Sequence, residues 1–209
     1  MYLSRIPLDT ARRKTQIALF SPSKFHGAVE EAFQERDGRK LWRIDTLKGM
    51  TYLLMLSAQM PNLSGIAEQF GYEGMNGETK SYDGLLNRIE EGSIWQFRLV
   101  ANPVHSIGKE EGRGKVVAHT TEKYQLEWLN GQAGKKGFSI VSDSARVTQS
   151  EWKIFRKGSS AQKVHILQAA FEGKLKVEDT TAFKDALING IGREKAYGMG
   201  LLTIAGREA

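Results

Sequence analysis

Two features of this 209-residue chain could do chemistry: a lone histidine at the start of a helix, and a lysine held among four glycines near the C-terminus. His26 follows Ser21-Pro22-Ser23, which offers an N-cap with proline in the first turn. The helix it opens turns Phe25, Val29, Ala32 and Phe33 toward a core, so His26, one residue past Phe25, points off that face. The first turn of a helix disfavours positive charge and so suits a neutral imidazole that accepts a proton. The other histidines, His105, His119 and His165, sit in or beside β-rich apolar stretches and read as packed or surface residues.

The second feature is Gly190-Ile-Gly192-Arg-Glu-Lys195-Ala-Tyr-Gly198-Met-Gly200. Dinucleotide and P-loop glycine loops run from a strand into a helix, where phosphate meets the helix N-terminus. Here the order is reversed: a helical run (Ala182, Phe183, Ala186, Leu187) precedes the glycines and an apolar strand, Leu201–Ala205, follows. That argues against a dinucleotide site. Four glycines around Lys195 let backbone amides approach a polyanion closely. A helix C-cap followed by a tight turn accounts for the same glycines without a ligand, and both readings stand.

Other site chemistries find little support. The chain has no cysteine, no His-x-x-x-His pair and no tight Asp/Glu triplet, and Glu30-Glu31 reads as a solvated helix face. Serine-nucleophile motifs of the Gly-x-Ser-x-Gly type are missing. No metal site and no cofactor are expected, so an enzyme built here would use acid–base catalysis.

Charge points to the partner. Residues 1–92 carry equal numbers of acidic and basic side chains, so the whole net charge of +6 lies in residues 93–209. Such regional excess is the electrostatic footprint of a polyanion binder. Its candidate contacts are Arg98; the glycine-rich loop of Lys109, Arg113 and Lys115; the hairpin of Arg156, Lys157 and Lys163; and Gly190, Gly192, Lys195, Gly198 and Gly200. The opening Met1–Leu8 is too short and polar for a signal peptide, and no apolar run approaches the ~20 residues of a membrane span. A cytoplasmic protein with no membrane association is expected.

The elements that would position these residues come in a repeated order. In the first half, Tyr2–Leu8 is a strand and the His26 helix runs to Asp37-Gly38. Leu41–Leu47 and Thr51–Ser57 are strands around the turn Lys48-Gly49, and a helix runs from Pro61-Asn62 to Phe70. Gly71–Gly84 reads as loop, and Leu85–Ile89 as the strand that closes the sheet. In the second half, Ser93–Ile107 is a long strand region and Thr121–Leu129 a helix. Phe138–Val141 is extended, and Trp152–Lys157 and Val164–Leu167 are hairpin arms around Gly158-Ser-Ser160. Ala169–Val177 continues as strand, and Thr181–Ile188 is the last helix. The pattern is βαββαβ twice: an α+β chain of two tandem ferredoxin-like domains, residues 1–90 and 93–209, joined near Glu90–Gly92.

Short segments along the chain resemble one family. Met1-Tyr-Leu-Ser-Arg5, Ser57-Ala-Gln-Met-Pro61, Phe97-Arg-Leu-Val-Ala-Asn-Pro103, Ala170-Phe-Glu-Gly173 and the glycine segment Gly190–Leu202 are similar, in order, to the CasE-type CRISPR-associated endoribonucleases, the crRNA-maturing subunits of type I-E Cascade. The resemblance implies two ferredoxin-like domains and binding of a CRISPR repeat RNA stem-loop. It implies metal-independent cleavage 3′ of that stem by 2′-hydroxyl attack, and retention of the crRNA alongside other Cascade subunits. His26 matches the place of the family's catalytic histidine. Some relatives carry a tyrosine three residues before it; here Ser23 stands there, with Lys24 as the cation that would stabilise phosphate charge in its stead. A non-catalytic RNA-binding subunit of the same fold is the alternative. A protein-interaction module would leave the second-half charge and the glycine loop unexplained.

Overall fold

The computed structural model describes residues 1–35, 38–108, 114–156 and 163–208. In the first half, β1 (Tyr2–Pro7) leads to α1 (Arg13–Phe20) and α2 (Ser23–Glu31), then to β2 (Lys40–Leu47) and β3 (Met50–Ser57). Next come α3 (Ser64–Phe70), β4 (Glu78–Ser81) and a one-turn α4 (Asp83–Leu86). Lys48 and Gly49 both have positive φ, 52° and 78°, which gives the β2–β3 hairpin the right-handed twist its strands need. The strands pair antiparallel in the order β2-β3-β1-β4. Ile6, Trp42, Leu53 and Met55 face the helices and pack on Phe25, Val29, Ile66 and Phe70.

The second half repeats the plan with two insertions. β5 (Ile94–Ala101) stops at Asn102-Pro103, where proline removes a ladder donor. β6 (Val104–Ile107) and β7 (Lys115–Ala118) then form a separate two-stranded hairpin. After α5 (Glu122–Lys135) come β8 (Phe138–Ile140), β9 (Arg146–Arg156) and β10 (Lys163–Val177). α6 (Thr180–Asn189), a 3-10 turn at Lys195–Tyr197 and β11 (Leu202–Glu208) complete the chain. The sheet order is β11-β5-β10-β8, with β9 paired to the first part of β10. In both sheets the fourth strand lies beside the first and the third separates the first from the second, so each is a ferredoxin-like βαββαβ sheet.

Four details differ from the expectations. The strand closing the first sheet is Glu78–Ser81, inside the stretch read as loop, and Leu85 belongs to α4 rather than to a strand. β4 is a polar edge strand with no apolar alternation, held by Ser4 Oγ to Thr79 Oγ1 (2.8 Å) and by the Arg5–Glu78 ion pair. Leu85, Leu86 and Ile89 are apolar because they pack on the second half's core. α1 has no sequence expectation, since it buries only Thr15 and Ala18 and leaves Ile17 and Phe20 exposed. The long strand region divides into β5 and β6. At the start of α2 no side chain caps the helix; Pro22 is already helical (φ −54°), and the Ser21 carbonyl accepts from Lys24 N. Asp37, Gly158, Ser159 and Ser160, expected to break chain segments, lie outside the described residues.

The two halves share an interior. Leu41 and Leu56 from the first half belong to the same buried cluster as Trp95, Phe97, Phe171 and Phe183. The glycine segment holds the halves together at β2, an edge strand. Its neck is closed by Ile191 N donating to Gly200 O (2.9 Å) and Gly200 N donating to Val100 O (2.7 Å). Gly190 lies against the Leu41 methyls and Gly198 against the Trp42 ring, so the segment touches both faces of that edge strand. No helix among the described residues is long and apolar enough to cross a membrane.

This packing predicts the response to Gly198→Ala. The residue has φ 80°, and an added Cβ would lie 2.7 Å from a Trp42 ring carbon. Overpacking and left-handed strain together cost about 1–3 kcal/mol, so calorimetry should find Tm lowered by roughly 3–10 °C. Gly192→Ala, whose Cβ would meet Trp128 at 3.2 Å, should cost less. An unchanged Tm for Gly198→Ala would contradict the contact.

Candidate active site

Phe25, Ala28 and Val29 fix one face of α2 in the first core. One position past Phe25 the helix has turned by about 100°, so His26 sits at the margin, with 39% of its side chain exposed. It opens on a cavity of about 270 Å³ lined also by Glu30, Gly38, Arg39, Lys40, Lys195 and Ala196. Residues some 170 positions apart in sequence thus share one small space. The connection is mechanical: Phe25 packs on Trp42 (ring centroids 5.8 Å), Trp42 packs on Gly198, and Gly198 ends the 3-10 turn that carries Lys195.

Glu30 lies one helical turn beyond His26, with Oε1 4.0 Å from Nδ1. Its other oxygen accepts from Lys40 Nζ at 3.0 Å, and that ammonium lies over the Phe33 ring (5.2 Å). Lys40 and Phe33 therefore hold Glu30 where its charge acts on the Nδ1 side of the imidazole, leaving Nε2 to a ligand. Lys195 reaches the cavity from the 3-10 turn. Burial lowers its pKa, and the nearby charges of Arg39 and Lys136 lower it further. An ammonium disfavoured in this way gains from any anion placed beside it.

The structure sorts the expected site residues. His26 and Lys195 meet. Lys24, two positions before His26 and hence about 200° around the helix, is exposed and does not line the cavity. Arg98 is not a free cation. Its Nε donates to Asp45 at 2.9 Å and its Nη1 pairs with Glu172, so two carboxylates already hold it. Arg156 and Lys163 face each other across β9 and β10, both exposed, and Lys115 is exposed on β7. Lys109, Arg113 and Lys157 lie outside the described residues.

Among the glycines, Gly190, Gly198 and Gly200 are buried, and protein atoms fill the space a Cβ would need. Gly192, half-buried, faces Trp128. All four have positive φ, from 74° to 87°. They build the turn, and the side chains it brings to the cavity are Lys195 and Ala196.

Three contributors escaped the sequence. Glu30 read as a solvated helix face, although its i, i+4 spacing from His26 was the available signal. Arg39 and Lys40 carried no local signal, because only the β2 edge brings them to α2. His105 and His119 lie elsewhere, rings 4.5 Å apart, with the His119 pKa lowered by burial and by its neighbour. Among the described residues no three His, Asp or Glu side chains come together in a metal-ligand cluster.

Comparison with known proteins adds the family. A family model described as CRISPR associated protein matches residues 1–206. The "CRISPR-associated endoribonuclease Cse3" of Thermus thermophilus is 29% identical, over 98% of this chain and 100% of its own. The "CRISPR system Cascade subunit CasE" of Escherichia coli is 28% identical over 74% of each chain. A solved structure of CRISPR endoribonuclease Cse3 bound to 19 nt RNA shares the fold with a TM-score of 0.83 at 24% identity, covering 99% of this chain and 100% of that one. Matched almost from end to end, the chain belongs to the CRISPR-associated protein family.

Proposed function

We propose that this protein is a metal-independent endoribonuclease that binds the stem-loop of CRISPR repeat RNA, cuts precursor crRNA 3′ of the stem and stays on the product. The observation that carries this reading is the convergence of His26 from the first sheet's helices and Lys195 from the second half on one cavity. The names of the relatives, an endoribonuclease and a Cascade subunit, agree with it. In this reading residues 1–90 supply the acid–base helix, residues 93–209 the basic RNA-holding surface, and the protein works in the cytoplasm with other Cascade subunits.

The reaction needs little beyond what the cavity holds. The ribose 2′-oxygen attacks the adjacent phosphorus and loses its proton, the bond from phosphorus to the 5′-oxygen breaks, and that oxygen takes up a proton. The products are a 2′,3′-cyclic phosphate and a 5′-hydroxyl. His26 is the group that can take the first proton or give the second, and Glu30 orients its ring. Lys195 and Arg39 face the phosphate oxygens as charge builds on them, the role the sequence had suggested for Lys24. Lys24, on the far side of α2 from His26, is left to contact RNA outside the cavity. Arg156 and Lys163, which face each other on β9 and β10, and Lys115 on β7 neutralise stem phosphates.

Three measurements test the reading. His26→Ala should slow single-turnover cleavage of a repeat hairpin by about 10²–10⁴-fold while Kd changes little. A rate near that of the unaltered protein would remove His26 from the mechanism. Cleavage should also persist in excess EDTA and stop with a single 2′-deoxy nucleotide just 5′ of the cut. Cutting of the deoxy substrate at the normal rate, or loss of activity in EDTA, would instead point to a metal-activated water.

A further inference from the structure

We infer that a groove between α1 and β9 is a stacking subsite for one unpaired base of the RNA strand that flanks the stem, with Phe20 as its platform. The inference rests on the endoribonuclease reading above. The groove, about 500 Å³, is lined by Arg13, Ile17, Phe20, Ile154, Phe155 and Arg156, with Gln16 and Ser21 at its rim. Phe20 is 78% exposed, more than any other large apolar side chain among the described residues. Ile17 and Ile154, 47% and 55% exposed, form the sides of the groove.

Nothing in the fold requires these side chains to be apolar. The buried residues of α1 are Thr15 and Ala18, so its contribution to the core does not involve Phe20. An aromatic ring open to solvent between two arginines, in a groove lined by no carboxylate, has the composition of a single-strand binding platform. The aromatic face takes any base, and the guanidinium groups take the phosphates on either side.

Position strengthens the assignment. Phe20 ends α1, and only Ser21-Pro22 separates it from the helix that carries His26. Across the groove, Phe155 packs edge-on against Tyr197 at 4.9 Å, and Tyr197 lies in the same 3-10 turn as Lys195. The groove and the cavity share no lining residue, but Phe155 of the groove packs on the turn that brings Lys195 to the cavity. Arg156 lines the groove with Phe20, so a strand held there and cut beside His26 would run along the α1–α2 junction. A docked apolar protein segment would suit Ile17 and Ile154 but would leave both arginines without an anion.

The test is an abasic scan. Repeat hairpins carrying a 2′-deoxy nucleotide at the cut site, each with one abasic position in the flanking strands, are titrated against the unaltered protein, Phe20→Ala and Phe20→Trp. At one flanking position the abasic change should raise the Kd of the unaltered protein by about 5- to 100-fold. Phe20→Ala should weaken binding of the intact RNA by a similar factor and show no further loss at that position, while Phe20→Trp should restore it. The platform is wrong if the abasic penalty persists undiminished in Phe20→Ala. It is also wrong if Phe20→Ala binds every RNA normally but fails to assemble with the other Cascade subunits, which would make the groove a protein-docking face. Normal cutting of the all-ribose hairpin by the unaltered protein, together with either result, would leave the enzyme reading standing. No binding or cutting at all would remove both.

Discussion

Arg43 is the buried charge on which the arrangement of the two sheets depends. It lies on β2 with 1% of its side chain exposed. Its Nη1 donates to two carbonyls of the second half, Arg98 O at 3.0 Å and Leu201 O at 2.7 Å, and its Nη2 donates to Thr203 Oγ1 at 2.9 Å. Burial lowers its pKa and the Asp45 carboxylate opposes that shift. Asp45 also binds Arg98, which pairs in turn with Glu172, so four charged side chains alternate in sign across the junction. Such a network adds little net stability over an apolar contact, but breaking it leaves an uncompensated buried charge, at a cost of about 3–5 kcal/mol. Its effect is register. Leu201 follows Gly200 directly, so Arg43 fixes the end of the glycine turn while its neighbour Trp42 holds Gly198 from the other face of the same strand.

The chemistry inherits this rigidity. A general acid–base group and the cation that stabilises phosphate charge must sit within a few tenths of an ångström of their working positions, and rigid elements hold them there better than free loops do. His26 stands on a helix pinned by Phe25. Lys195 stands on a turn pinned at both ends, by Ile191 and Met199, which are fully buried, and by the glycine contacts on β2. Burial of Lys195, with Arg39 and Lys136 near it, has an electrostatic cost that an anion in the cavity would offset, and the proposed mechanism places a phosphate there.

Much of this was legible in the sequence, for identifiable reasons. Apolar runs bounded by turn residues pointed to β1, β2, β3 and β10, Lys48-Gly49 to a hairpin, and the repeated order to the duplicated fold. β4 was hidden because an edge strand with polar side chains carries no alternation, and α1 because short residues face its core. Arg98 read as a surface cation since its carboxylate partners, Asp45 and Glu172, are 53 and 74 residues away in sequence. The glycines were located correctly, but their contacts are with Leu41, Trp42 and Trp128, which no local pattern reveals. The cation that lines the His26 cavity is Lys195, not Lys24. Helical periodicity alone sets Lys24 apart from His26, whereas only the packing of the second half on β2 brings Lys195 to it.

In the proposed mechanism His26 and Lys195, from opposite ends of the chain, act on the same phosphate. Single-turnover cleavage of a repeat hairpin by the unaltered protein, His26→Ala, Lys195→Ala and the double variant, each at saturating RNA, tests it most directly. Lys195→Ala alone should slow the chemical step by about 10²–10³-fold. The double variant should lose much less than the product of the two single losses, because groups that serve one transition state are not independent. Losses that multiply in full, or a Lys195→Ala variant that cuts at the unaltered rate, would show that the two side chains do not share a phosphate.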